Sequence, residues 1–105
     1  MKEIKAYIRR EQLDEVVSAL AKVEGLSGVS VNTVTGFGRS RGRLRLVDFE
    51  THFRIEAACR EELKEQVVST ILDAAHTGQH GDGKIFVSDV GEAWRVESKK
   101  AITVP

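Results

Sequence analysis

Three glycines, an aspartate and a lysine fall within Gly78-Gln79-His80-Gly81-Asp82-Gly83-Lys84, just ahead of the apolar run Ile85-Phe86-Val87. These residue types suit the binding of an anion. Glycine admits positive φ and lets a ligand approach the backbone closely. Successive backbone N–H groups in such a turn form an anion-holding nest. Lys84 adds a cation at the mouth of a strand, so phosphate is the anion that fits. The same residues also describe an ordinary helix-to-strand turn, with Gly78 as helix C-cap and Asp82-Gly83 as turn residues. Both readings are open on the loop alone, because short glycine motifs are common.

The elements around the loop are read from hydrophobic spacing. Ile4, Ala6 and Ile8 alternate with Lys5, Tyr7 and Arg9, the pattern of a strand with one buried face. Leu13, Val16, Val17, Leu20 and Val23 recur at helical spacing, and Gly25 and Gly28 end that helix. Val29, Val31 and Thr33 begin a second strand, running to Gly36-Phe37-Gly38. Val47, Phe49, Phe53 and Ile55 mark a third, broken by the polar Glu50-Thr51-His52. Leu63, Val67, Val68, Ile71, Leu72 and Ala75 stripe a second helix, with His76 in its last turn. Ile85–Val90 is the fourth strand, and Trp94–Val96 a short strand in the tail. The order β-α-β-β-α-β predicts an α+β ferredoxin-like sandwich, two helices on one face of an antiparallel sheet. The other face then needs a cover, since Ile4, Val29 and Phe86 cannot all point into the helix layer; subunit packing is the economical one.

Composition bounds the function classes. The 105 residues make a single domain, 1–105. Sixteen basic residues balance sixteen acidic ones, so net charge gives no prior for nucleic acid or membrane. The single Cys59 forms no internal disulfide and reads as a small buried hydrophobe. No apolar run has the length of a membrane span, and the start lacks a signal-peptide core, which points to the cytoplasm. His52, His76 and His80 fit no standard metal-ligand spacing. Trp94, beside Arg95, reads as interface packing. Arg39, Arg41, Arg43 and Arg45 alternate and, if extended, project on one side. They read equally as a basic finger for an acidic partner or nucleic acid, or as a solvated hairpin tip. No aromatics interleave with them, which counts against single-stranded nucleic acid.

Taken whole, Thr77 followed by Gly81-Asp82-Gly83-Lys84-Ile85-Phe86-Val87 resembles the signature of the P-II signal-transduction family. Gly36-Phe37-Gly38-Arg39 resembles its other characteristic stretch, and the opening Met1–Ala6 and the helix start Leu13–Val16 are similar too. The likeness covers nearly the whole chain except around Ser40–Val47 and after Arg95. It implies a non-enzymatic regulator, a cytoplasmic homotrimer with adenine nucleotide (ATP, ADP or AMP) in clefts between neighbours. It implies a nucleotide site of Ser30, Gly36, Phe37, Gly38, Arg39, Ala58, Gly81, Asp82, Gly83, Lys84 and Arg95. It also implies a partner loop, Ser40, Arg41, Gly42, Arg43, Leu44 and Arg45, that docks on a target protein such as a membrane transporter or metabolic enzyme. Lys84, Arg39 and Arg95 would supply charge-assisted bonds to phosphate.

Three departures from the family pattern matter. Ser40 stands where the family has a glutamine that helps hold magnesium and 2-oxoglutarate. Glu97 replaces a second phosphate-reaching arginine, and a carboxylate there repels phosphate. The loop is short and lacks the tyrosine that is uridylylated in many members; the only tyrosine is Tyr7. Ser40 and Glu97 thus weigh against Mg-ATP and 2-oxoglutarate. Two rivals remain. One is a slow nucleotide hydrolase, for which Asp82 and Glu97 are the only nearby carboxylates. The other is a ferredoxin-like nucleic-acid module using the arginine loop, though it lacks the aromatic sheet motif of RNA-recognition domains.

Overall fold

A computed structural model describes the backbone of residues 1–40 and 43–105, and the side chains of 1–36 and 52–105. The chain runs β1 (Lys2–Arg9), α1 (Leu13–Ala21), β2 (Ser30–Ser40), β3 (Arg43–Cys59), α2 (Lys64–Ala75), β4 (Gly83–Asp89), β5 (Ala93–Arg95) and β6 (Lys100–Ile102). The first four strands form one antiparallel sheet in the order β2-β3-β1-β4. This is the ferredoxin-like arrangement expected from the element order.

Strand parity decides what is core. Ile4, Ala6 and Ile8 of β1 are buried, as are Ile55, Ala57 and Cys59 of its partner β3. Against them pack Val16 and Leu20 of α1 and Val67, Ile71 and Ala75 of α2. The latter three fall at i, i+4 and i+8, a single helical stripe. Each fully buried aliphatic side chain contributes roughly 1.5–3 kcal/mol of transfer free energy. Leu72 is off this stripe and 55% exposed, so its expected core role is corrected. Cys59 behaves as a small core hydrophobe, and burial pushes its thiol pKa up.

Both helices start the same way. Arg9, the last residue of β1, and Arg60, just after β3, are each in extended backbone and lead into a single 3-10 turn, Arg10–Gln12 and Glu61–Leu63. Neither helix has a side-chain cap, but Asp14 and Glu15 in α1 and Glu65 in α2 place negative charge in the first turn. Helix α2 stops at Ala75 because His76 turns extended; Gly78 is two residues beyond the cap, not the cap itself.

The opposite sheet face carries Phe86, which makes an edge-to-face contact with Tyr7 at 6.0 Å between ring centres. Ile4 and Val29 join the helix-side core, so Phe86 is the one of that trio that points away. Lys5–Glu3 pairing at 3.4 Å charges the same face. Arg54 Nε lies 2.7 Å from Glu56 Oε1, close but not aligned as a hydrogen bond.

Three sequence expectations change. The polar Glu50-Thr51-His52 does not end β3, which runs Arg43–Cys59, but the β2–β3 ladder shifts register there, residues 48–51 having no partner in it. Ser40 and Arg43–Arg45 of the expected partner loop are paired strand residues; Arg41 and Gly42 lie outside the described residues. In that ladder Arg39 stands opposite Leu44 and Arg45 opposite Gly38; the expected one-sided projection of Arg39, Arg41, Arg43 and Arg45 lies outside the described side chains. The tail holds a two-stranded hairpin, not one strand: β5 pairs β6, and Lys99 turns it at φ 59°. Its Trp94 is 60% exposed.

Gly83 begins β4 at φ 120°, and a Cβ there would stand 1.7 Å from the Tyr7 carbonyl oxygen. Only glycine lets β4 lie against β1 at this point. Gly83→Ala is expected to cost on the order of 3 kcal/mol or more, from the clash and the backbone conformation together. Urea unfolding of both proteins measures it, and a change below about 1 kcal/mol would disprove the close approach.

Candidate functional site

The glycine loop between α2 and β4 is built around one carboxylate. Asp82 Oδ2 accepts from the backbone N–H of Thr77 at 2.8 Å and of Gly78 at 2.9 Å. Its Oδ1 accepts from the Thr77 hydroxyl and from Arg9 Nε, the latter at 2.9 Å. The Thr77 hydroxyl oxygen in turn accepts from the Gln79 N–H at 3.2 Å. Asp82 therefore folds the loop back on its own start, which is possible because Gly78 and Gly81 take φ of 82° and 92°.

Two side chains on the sheet brace the loop from outside. Arg9, last in β1, also donates through Nη2 to the His80 carbonyl. His52 of β3, directly opposite Arg9, has Nε2 3.1 Å from the Gly81 carbonyl oxygen, so Nε2 is the donor. His76 Nδ1 lies 3.8 Å from Asp82 Oδ2, an ion pair when the ring is protonated.

These bonds fix the charge state. Donation from the Thr77 hydroxyl and N–H, then from Arg9 and Gly78, holds the Asp82 carboxyl far below the usual carboxylate range. Asp82 is thus anionic and fully engaged within the loop. Its role in this structure is to shape the backbone that presents Gly83 and Lys84.

The expected site residues form two groups. Asp82, Gly83 and Lys84 line a cleft of about 470 Å³ floored by Ile8, Ile71 and Ile85. Ser30 and Ala58 line a separate cleft of about 380 Å³ with Gly28, Glu3 and Glu56. The register explains the separation. Ser30 pairs Glu56, Glu56 pairs Lys5, and Lys5 pairs Phe86, so β2 and β4 are the two sheet edges. Three strand spacings put them roughly 14 Å apart.

Gly36–Arg39 continue β2 outward beyond a register shift in which Thr35 alone stands against residues 48–51 of β3. They begin two residues past Val34, the β2 partner of His52, which ties the ribbon base to the glycine loop. A Cβ on Gly36 or Gly28 would meet nothing within 4 Å, so neither glycine is required by the chain's own packing. Arg95 lies on the separate β5–β6 hairpin and is exposed. Among the described residues no group of three or more His, Cys, Asp or Glu is arranged to hold a metal.

Arg9 and His52 are site residues that sequence reading missed. The only signal was parity: Arg9 shares the non-core face of β1 with Lys5 and Tyr7. Its 73-residue separation from Asp82 hid the contact.

The chain matches the family model described as nitrogen regulatory protein P-II over residues 1–100. It is 43% identical over 105 residues to a nitrogen regulatory protein P-II of Bradyrhizobium diazoefficiens, covering 93% of each chain. It is 42% identical to one of Azospirillum brasilense and 41% to nitrogen regulatory protein P-II 1 of Escherichia coli K12, each again over 93% of both chains.

The depressed Asp82 pKa sets a pH dependence. Its contribution to stability is complete above the unfolded value of about 3.9 and is lost as pH falls toward the lower folded value. Asp82→Asn should be less stable than the parent at pH 7, and the gap should narrow below pH 4. Urea unfolding at pH 7 and pH 3 tests this; a gap of equal size at both would detach the charge from the loop.

Proposed function

This chain belongs to the P-II family of nitrogen regulatory proteins, and on that premise we propose that it is a non-enzymatic signalling regulator. It binds an adenine nucleotide between the subunits of a homotrimer. The observation that carries this reading is the division of the site. Asp82–Lys84 lie at the β4 edge and Ser30 and Ala58 toward the far side, each group beside an open cleft. One chain does not bring them together, whereas two copies packed β4 edge to β2 edge do. Gly28 and Gly36, which no intrachain neighbour requires, leave room for what lies between.

Lys84 and Arg39 hold the phosphates by charge-assisted bonds, and Arg95 adds to them. The engaged Asp82 does not oppose this, because Arg9 and the loop amides neutralise it. That engagement also argues against hydrolase chemistry, since a carboxylate held so far below neutral pH is a poor general base. Nucleotide identity biases the β2–β3 ribbon, which docks on a target protein. Such a bias requires that ligands interact differently with the ribbon's states. Ser40 and Glu97 weaken Mg-ATP more than ADP or AMP and leave 2-oxoglutarate without its usual metal shell, because magnesium tolerates little departure from octahedral geometry.

Lys84→Ala removes a charged hydrogen bond worth roughly 1.5–3 kcal/mol. Calorimetry with ADP should show at least a tenfold loss of affinity, with light scattering returning three times the chain mass for both proteins. Equal affinities would remove the phosphate role, and a concentration-independent monomer would remove the shared site.

A further inference from the structure

We propose that Lys100 is a phosphate-binding residue, and that with Arg95 it makes the tail hairpin a two-cation clamp for a terminal phosphate. The two residues are direct partners in the β5–β6 ladder. Directly opposed side chains share one face, with Cβ atoms about 4.5–5.5 Å apart. The turn fixes this placement. The Lys99 N–H donates to the Arg95 carbonyl at 2.9 Å, and the Lys100 N–H to the Ser98 hydroxyl oxygen at 3.3 Å. Alternation then divides the hairpin into two faces. Ala93 and Ile102 share the face of Arg95 and Lys100 and are half-buried, whereas Trp94 and Ala101, on the other, are exposed. The two cations stand on the partly covered side.

Like charges directly opposite each other destabilise a ladder unless an anion lies between them. Elsewhere in the sheet that anion is a carboxylate: Lys2, Lys5, Arg9 and Arg54 each have one as an ion-pair partner. Arg95 and Lys100 have none among the described residues, and Glu97, in the turn between them, pairs with neither. The hairpin is moreover a sheet of its own, with three residues in each strand. Two strands alone are marginal in water, so the repulsion falls where little else holds the backbone.

An anion seated between the two side chains removes that repulsion and receives a charge-assisted bond from each. A terminal phosphate fits, because near neutral pH it carries about two charges and three acceptor oxygens. Glu97 lowers the positive charge of the turn, and Lys100 keeps this face cationic from the other strand. That the phosphate belongs to an adenine nucleotide rests on the function proposed above; the opposition of Arg95 and Lys100 does not.

Trp94 is the only tryptophan and adjoins Arg95, so its fluorescence reports the hairpin. The experiment titrates the parent, Lys100→Gln and Lys100→Arg with ADP, pyrophosphate and adenosine. ADP and pyrophosphate should bind Lys100→Gln roughly fivefold more weakly than the parent, with Lys100→Arg close to the parent. Adenosine, which lacks the phosphate, should not distinguish the three proteins. Hydrogen exchange of the ligand-free proteins has the opposite sign: Lys100→Gln should protect the β5–β6 amides at least as well as the parent, because the repulsion is gone. Pyrophosphate binding that depends on Lys100, with ADP no tighter than pyrophosphate, supports the clamp and removes the nucleotide reading. Equal ADP affinities for the parent and Lys100→Gln overturn the clamp and leave the nucleotide reading standing. The clamp is also overturned if Lys100→Gln loosens the ligand-free hairpin, or if neither ADP nor pyrophosphate binds the parent.

Discussion

The carboxylate of Asp82 is the point on which the candidate site depends. It takes bonds from two loop amides, a hydroxyl and a guanidinium, and so draws the end of α2, the loop and the end of β1 to one place. The contact between Arg9 and Asp82 is part-buried, with side-chain exposures of 23% and 22%, which shields it from the screening that makes surface pairs weak. Without it, three glycines in seven residues would have little to hold them in one conformation, since glycine loses more freedom on ordering than any other residue. The same bonds explain why a negatively charged residue is compatible with the anion site proposed for this loop.

The fold was largely legible because its periodicities are clean. Ile4, Ala6 and Ile8 alternate, and Val67, Ile71 and Ala75 step by four, so parity and helical phase named the core directly. Leu72 was misjudged because one apolar residue beside a stripe is indistinguishable from a member of it. The polar Glu50-Thr51-His52 marked a real irregularity, the register shift between β2 and β3, but not the end of the strand, because backbone irregularities of this kind occur within a continuous strand. The end of α2 was misjudged because glycines inside a structured loop imitate a C-cap.

The site was legible in part, and for a different reason. Gly81–Lys84 announce themselves by composition, and the resemblance supplied the rest. What the loop rests on could not be read, because Arg9 and His52 reach it through strand pairing far from it in sequence. The β5–β6 hairpin shows the same limit. Its second strand, Lys100-Ala101-Ile102, is too short to carry a period.

The approach of Gly83 to the Tyr7 carbonyl has a mechanical consequence. Shifting β4 by one residue in either direction would bring Asp82 or Lys84, each with a side chain, onto a spot where even a methyl group does not fit. The pairing of β4 with β1 thus has a register stop, and this strand cannot slide to report what happens in the loop. The loop meets the rest of the sheet crosswise instead, where the His52 ring of β3 touches the Gly81 carbonyl. One side of the loop is thus pinned in register, and the other rests on a single side-chain contact.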